Sequence, residues 1–220
     1  MTNLSFCPDS DRVRLSDAHL ATLVSALEAR GWAVIDNFLH EEHWRPLAVR
    51  AKTIEDYRRA GIGRGTDLQV MSAIRRDRIH WLEEVEAADR HWLALMEQVR
   101  VGVNRELFLG LFEYESHFAY YPPGAFYLRH VDAFKGEGNR RLSTVLYLNG
   151  DWQPGDGGEL VLYPEGYHAG IAIAPRAGTL VAFLSEDLPH EVLETRAERY
   201  SIAGWFRING SDSVHLDTAL

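Results

Sequence analysis

Two rhythms of apolar residues divide this chain. Up to about residue 110 they recur at helical spacing; beyond residue 113 they come in short runs cut by Gly, Pro, Asn and Asp. Leu20, Leu23, Val24 and Leu27 stand at i, i+3, i+4 and i+7, which places them on one face of a helix over residues 18–30. Ser16 or Asp17 can cap its first turn, and Gly31 stands where a left-handed residue ends a helix. Trp32-Ala33-Val34-Ile35-Asp36 reads as a short buried strand. Further helices are predicted over 41–59, with Pro46 in the first turns, and over 88–107. Between these two, residues 60–80 read as a loop or hairpin: Gly61, Gly63 and Gly65 lie close together, followed by Arg75, Arg76 and Arg78.

The second rhythm gives eight short β-rich runs, at 115–121, 125–131, 142–148, 158–163, 170–173, 178–184, 190–193 and 199–208. Turn clusters such as Pro122-Pro123-Gly124, Asn149-Gly150-Asp151 and Gly155-Asp156-Gly157-Gly158 separate them. Eight strands with such turns predict a mainly β fold, a jelly-roll (double-stranded β-helix) core buttressed by N-terminal helices, α+β in class. One domain is expected over 1–220, with its helical part at about 16–110 and its core at about 113–208.

Composition narrows the function. With 46% hydrophobic residues in 220, the chain can build a substantial core. A net charge of −9 argues against nucleic acid and against anionic membranes as partners. No run approaches the ~18 apolar residues of a membrane helix, and no basic segment followed by an apolar one opens the sequence, so no signal peptide is expected. Cys7 is the single cysteine, which precludes an internal disulfide or a cysteine-based zinc site and suits a reducing, cytoplasmic setting.

Candidate chemistry sits in the β-rich half. His130-Val131-Asp132 closes a predicted strand, where residues i and i+2 share a face. His190 follows 58 positions after Asp132, at the head of another short strand. Two imidazoles and one carboxylate on one side of a metal leave three positions open, the arrangement of non-haem Fe(II) oxygenases. His-x-Asp alone is common on protein surfaces, so the downstream sequence matters. Arg199 opens the strand Arg199-Tyr200-Ser201-Ile202-Ala203-Gly204-Trp205-Phe206-Arg207-Ile208, on which Arg199, Ser201, Ala203 and Trp205 share a face. An inward arginine is costly unless an anion meets it, and its forked donors suit a carboxylate, to which Ser201 can add a hydroxyl. The competing reading is a surface arginine paired with Glu194 or Glu198.

Taken in order, these features resemble the 2-oxoglutarate-dependent prolyl hydroxylases, in particular the group of the hypoxia-inducible-factor prolyl hydroxylases and their bacterial relatives. The resemblance covers about residues 20–208 and is carried by Tyr127-Leu128-Arg129-His130-Val131-Asp132, Tyr147-Leu148-Asn149, Gly157-Gly158-Glu159-Leu160, Tyr163-Pro164-Glu165-Gly166, Pro189-His190-Glu191-Val192 and Arg199-Tyr200, with Ile74-Arg75-Arg76-Asp77-Arg78-Ile79-His80-Trp81 ahead of the core. It implies iron ligation by His130, Asp132 and His190, and capture of the 2-oxoglutarate C5 carboxylate by Arg199 with Tyr147. It places Tyr121 near the metal-chelating end of the cosubstrate, with Tyr120 as the competitor because the intervening loop is one residue shorter here. Trp205 would line the pocket beside the iron; the position of Ser201 is often not serine in this group. Arg75 and Asp77 would lie on a movable loop that closes over the substrate, and Arg140 at the pocket mouth; the plainer alternative is a solvated run of charge. The implied reaction hydroxylates a prolyl residue of a protein, coupled to decarboxylation of 2-oxoglutarate to succinate and CO2, with O2 as cosubstrate and ascorbate as reductant. Because Asp132 keeps the carboxylate ligand, a halogenase is disfavoured.

Three rival readings remain: hydroxylation of a free amino acid or other small molecule, a zinc hydrolase on the same three ligands, and a non-catalytic metal- or ligand-binding sensor on the same scaffold. His40-Glu41-Glu42-His43 does not meet the spacing of a zinc-protease helix. His19, His43, His80, His91, His117, His168 and His215 have no ligand-like context.

Overall fold

The computed structural model describes residues 13–60, 73–133, 139–167 and 169–208. Cys7, Gly61, Gly63, Gly65, His168 and His215 lie outside the described residues. The first helix, α1 (Asp17–Arg30), starts at Ser16, whose side chain accepts from the His19 N–H at 3.0 Å. It ends at Gly31, whose φ of 77° turns the chain directly into β1 (Trp32–Ile35). Leu23 and Leu27 are its buried residues, while Leu20 and Val24 are half-buried at the rim of the same face.

The second helix, α2 (Glu41–Thr53), is shorter than the 41–59 predicted. Ile54 turns into an extended conformation and is buried, and the Tyr57 hydroxyl donates to the Ala51 carbonyl. The next residues then pair as strands, β2 (Arg58–Arg59) with β3 (Arg78–Trp81). Local helix preference is weak over this charged stretch, and tertiary strand pairing overrides it. The predicted loop or hairpin at 60–80 therefore contains a strand, β3, that the sequence pattern did not separate from its surroundings.

The third helix, α3 (Ala87–Leu107), buries Asp89, Trp92, Leu95, Met96, Val99, Gly102 and Val103, a single stripe at spacings of three and four. Gly102 lets α1 and α3 pack closely: a Cβ there would stand 2.7 Å from the Leu20 methyls of α1, which would have to shift. No helix among the described residues is long and apolar enough to cross a membrane.

All eight predicted core strands form, as β4 (Glu113–Tyr121), β5 (Tyr127–His130), β6 (Arg140–Tyr147), β7 (Leu160–Leu162), β8 (Ile171–Ile173), β9 (Leu180–Leu184), β10 (His190–Val192) and β11 (Arg199–Arg207). They build two antiparallel sheets, one in the order β1-β9-β6-β11-β4-β3-β2 and one in the order β5-β10-β7-β8. The two faces of the large sheet differ, one packing apolar residues against the helices and the other carrying polar and charged residues. On β11, Tyr200, Ile202 and Phe206 join the helices' Leu23, Trp92, Leu95 and Met96 in one core. The alternate residues Arg199, Ser201, Ala203, Trp205 and Arg207 turn the other way and line a cavity between the sheets. A second core, with Phe183, Leu160, Leu162 and Val192, closes the deep end of that cavity.

Candidate active site

The cavity has a volume of about 500 Å³ and draws its walls from both sheets. On the small sheet β5 and β10 are neighbours, and their register sets His130 directly opposite His190. The pairing of two strands thereby brings together two residues 60 positions apart in sequence. The ring centroids are 4.3 Å apart, and each Nε2 is 3.6 Å from the same oxygen, Oδ1 of Asp132. All three ligand atoms lie within 4.8 Å of one another, close enough to share one ion.

Backbone carbonyls fix both rings. Nδ1 of His130 is 2.8 Å from the Leu128 carbonyl, and Nδ1 of His190 is 3.0 Å from that of Leu188. A carbonyl only accepts, so each Nδ1 carries the proton and each Nε2 presents its lone pair to the shared point. Tyr127 stacks on the His130 ring at 3.6 Å, and Phe183 packs on His190 at 4.6 Å. Asp132 arrives differently from the alternation expected of His-x-Asp. The strand stops at His130, and a bend carries Asp132 back so that its second oxygen, Oδ2, accepts from the Ser143 hydroxyl at 2.6 Å. Burial works to raise the carboxyl's pKa, but the His190 and His130 imidazoles and the Ser143 hydroxyl together outweigh it and hold Asp132 well below the usual carboxylate range. Burial also pushes His190 below the ordinary histidine value. An ionised carboxylate and an imidazole lone pair are what a divalent metal needs from its ligands.

Arg199 lies in the wall of the same cavity and is 1% exposed. Its Nε donates to the Gly158 carbonyl at 2.9 Å and its Nη1 to Ser201 Oγ at 3.2 Å, while the Tyr121 and Tyr147 rings flank it at 4.7 and 5.2 Å. Among the described residues no carboxylate pairs with it. The surface-pair reading fails: Glu198 instead accepts from the Tyr120 hydroxyl. The Tyr147 hydroxyl is buried without a hydrogen-bond partner, and its pKa is pushed up to about 12 by burial despite the nearby guanidinium. An uncompensated buried cation beside an unpaired hydroxyl is the shape of an anion site. Gly158 makes room for it, since a Cβ there would meet Arg199 Cδ at 3.0 Å from a backbone with φ of 67°.

Residues 116–207 match the family model of the 2OG-Fe(II) oxygenase superfamily. A Pseudomonas putida prolyl-4-hydroxylase of known structure is 40% identical, with a TM-score of 0.79 over 87% of this chain and 100% of that one. The chain belongs to the prolyl hydroxylases of the 2-oxoglutarate- and Fe(II)-dependent oxygenases. A prolyl hydroxylase from Trichoplax adhaerens, solved with a peptide of the hypoxia-inducible factor oxygen degradation domain, is 26% identical with a TM-score of 0.76 over 86% of this chain and 88% of that one. The hypoxia-inducible factor prolyl hydroxylase of Caenorhabditis elegans is 32% identical over 205 residues, which cover 84% of this chain and 27% of the worm protein. This chain thus spans about a quarter of the length of that relative.

The remaining residues that the resemblance to this prolyl hydroxylase family singled out also meet in the cavity. Tyr121 turns inward, is buried and flanks the Arg199 guanidinium, whereas Tyr120 lies on the other face of β4, where its hydroxyl donates to Glu198. Arg75 and Asp77, expected on a movable loop that closes over the substrate, form an ion pair at 2.7 Å in the cavity wall, with Asp77 buried, Arg75 half-buried and its guanidinium 4.3 Å from the Tyr127 ring. They are neither solvated nor free of partners. Arg140 pairs with Glu115 at 3.1 Å and lies 3.8 Å over the Trp205 ring, and Arg207 reaches the other oxygen of Glu115 at 3.2 Å.

Sequence reasoning gave no role to Ser143, Ser185, Tyr127, Glu115 or His117. Ser143 carried a signal, a polar residue inside the apolar run Leu142 to Leu148. His117 is buried in the cavity wall between Trp81 and Trp205, at ring distances of 5.2 and 5.4 Å, and takes no part in the metal cluster. Burial, and then the charge of Arg75, push its pKa down to about 4. Below pH 6.5 the unfolded chain therefore takes up a proton that the folded chain refuses, and stability falls until about pH 4. At roughly 1.4 kcal/mol per pH unit this amounts to about 3 kcal/mol. Urea unfolding at pH 6.5 and pH 4.5 should show a smaller acid loss for His117→Leu than for the unmodified protein; equal losses would contradict the burial of a neutral ring.

Proposed function

We propose that this chain hydroxylates prolyl residues of protein substrates, with iron held by His130, Asp132 and His190 and the far carboxylate of 2-oxoglutarate held by Arg199. The observation that carries this reading is the buried guanidinium of Arg199, without an acid partner, in the same cavity as three converging metal-ligand atoms. Bound there with 2-oxoglutarate and O2, iron supplies the oxidising power that no protein side chain has.

The chain's own residues do the rest. His130, Asp132 and His190 present one atom each from one side and leave the opposite side free. Arg199 receives the distal carboxylate on its remaining donors, Tyr147 adds its unpaired hydroxyl, and Tyr121 walls the slot. Arg199, Tyr147 and Tyr121 are all buried, which strengthens each of those contacts. The cavity extends past the space a five-carbon diacid and an ion need, toward Trp81, His117, Trp205 and the Glu115–Arg140–Arg207 cluster. We place the prolyl side chain there, with Trp205 against it and Arg140 and the Arg75–Asp77 pair at its border. The peptide bound to the Trichoplax relative supports a protein substrate.

Tyr147→Phe removes one hydroxyl and no volume. It should raise the 2-oxoglutarate KM about tenfold, as expected for one hydrogen bond to a charged group worth ~1.5 kcal/mol, with little change in kcat. An unchanged KM would take Tyr147 out of the carboxylate site.

The reading is tested by anaerobic loading with Fe(II) and 2-oxoglutarate, then exposure to O2 with a panel of proline-containing proteins and peptides, and in parallel with free proline. Succinate formation together with a gain of one oxygen on a prolyl residue of a polypeptide is the expected result. Oxygen gain on free proline alone would move the assignment to small molecules, and absence of 2-oxoglutarate turnover in every arm would overturn it.

A further inference from the structure

Asp132 uses its two carboxylate oxygens for different purposes, and two serines enforce the difference. Oδ1 faces both imidazoles, 3.6 Å from each Nε2. Oδ2 is 2.6 Å from Ser143 Oγ, and Ser143 Oγ is 2.9 Å from Ser185 Oγ. Both serines are buried, at 1% and 0% exposed, so water does not substitute for these contacts. The direction of the chain is fixed by chemistry. An ionised carboxylate only accepts, so the Ser143 hydroxyl donates to Oδ2; its proton is then committed, so the Ser185 hydroxyl donates to Ser143. Ser185 is itself anchored through its backbone: its N–H donates to the Arg141 carbonyl, and its carbonyl accepts from the Ala133 N–H, one residue past Asp132.

We propose that Ser143, backed by Ser185, is a positioning pair that locks Asp132 as a single-oxygen ligand. The proposal rests on the metal assignment above and extends it to residues outside the ligand set. Asp132 follows the end of β5 and sits in a bend, so no strand geometry holds its side chain. A carboxylate free to turn could offer both oxygens to a metal and occupy a fourth of six positions, leaving two where cosubstrate and O2 together need three. Ser143, rooted in the middle of β6, occupies the second oxygen and takes that option away. Partners of this kind commonly change metal affinity 10–100-fold when removed.

The test is Mn(II) binding to the metal-free protein, followed by calorimetry and by the electron paramagnetic resonance signal of free Mn(II), with each variant's thermal midpoint recorded alongside. Ser143→Ala is expected to weaken Mn(II) binding about 10-fold or more, Ser143→Thr to restore it to near the unmodified value, and Ser185→Ala to weaken it by a smaller factor. A merely structural role would make affinity follow thermal stability rather than distance from Asp132. Ser143→Ala binding Mn(II) as tightly as the unmodified protein, or more tightly, would overturn the proposal. If the unmodified protein itself fails to bind Mn(II), the metal assignment falls instead, and the two failures are thereby distinguished.

Discussion

Arg199→Met should raise the 2-oxoglutarate KM by about 100-fold or more while leaving the cosubstrate-free protein as stable as before, or more so. The two halves of this prediction have one cause. Arg199 is buried against the Tyr121 and Tyr147 rings with no acid to compensate its charge. In the absence of an anion, keeping a guanidinium there costs free energy, and an apolar residue of similar length relieves that cost. Binding reverses the balance, because truncating one partner of a buried charge pair costs about 2–5 kcal/mol. At 1.4 kcal/mol per factor of ten, ~3 kcal/mol is a little over 100-fold. Thermal unfolding with and without 2-oxoglutarate separates the two effects: the unmodified protein should gain stability from the ligand and Arg199→Met should not. A structural arginine would give the opposite pattern, a large loss of stability with the KM unchanged.

The second large effect lies at the metal. Asp132→Ala removes the only carboxylate among the three ligand residues and leaves the two imidazoles without it. Turnover of 2-oxoglutarate should drop by about 1,000-fold or more, the scale of removing ~4 kcal/mol of transition-state stabilisation. The fold should survive, since Asp132 lies beyond the end of β5 and is not part of the apolar core of the large sheet and the helices. His130→Ala should behave alike. Circular dichroism establishes the fold, succinate formation reports the activity, and retention of more than a tenth of the activity in either variant would remove that residue from the ligand set.

Much of this site was legible in the sequence because strands impose a strict alternation. On β11 the alternation alone assigned Arg199, Ser201 and Trp205 to one face, and they line the cavity together. The eight core strands were legible for the same reason, with Gly, Pro and Asn clusters marking their ends. The facing of His130 and His190 depends on which strands pair, and spacing along the chain does not encode that; the resemblance supplied it. Asp132 was expected to share a face with His130 by strand alternation, yet it stands beyond the strand's end and is held by Ser143. Ser143 and Ser185 could not be paired from sequence, being 42 positions apart on strand β6 and beyond β9. The early end of α2 and the β2–β3 pairing were hidden because a charged stretch has little local preference and long-range pairing decides it. For Arg75 and Asp77 the sequence left a substrate-closing loop and a solvated run of charge both open, since nothing local announces that two opposite charges will pair in a cavity wall.

The proposed function assigns a metal and a dicarboxylate to two places in one cavity. A crystal structure of the protein grown anaerobically with Mn(II) and 2-oxoglutarate addresses it directly. The ion should be bound by Nε2 of His130, Nε2 of His190 and Oδ1 of Asp132, and chelated by the keto end of the cosubstrate, while the far carboxylate meets the Arg199 guanidinium and the Tyr147 hydroxyl. An ion bound elsewhere, or a cosubstrate whose distal carboxylate points away from Arg199, would contradict it.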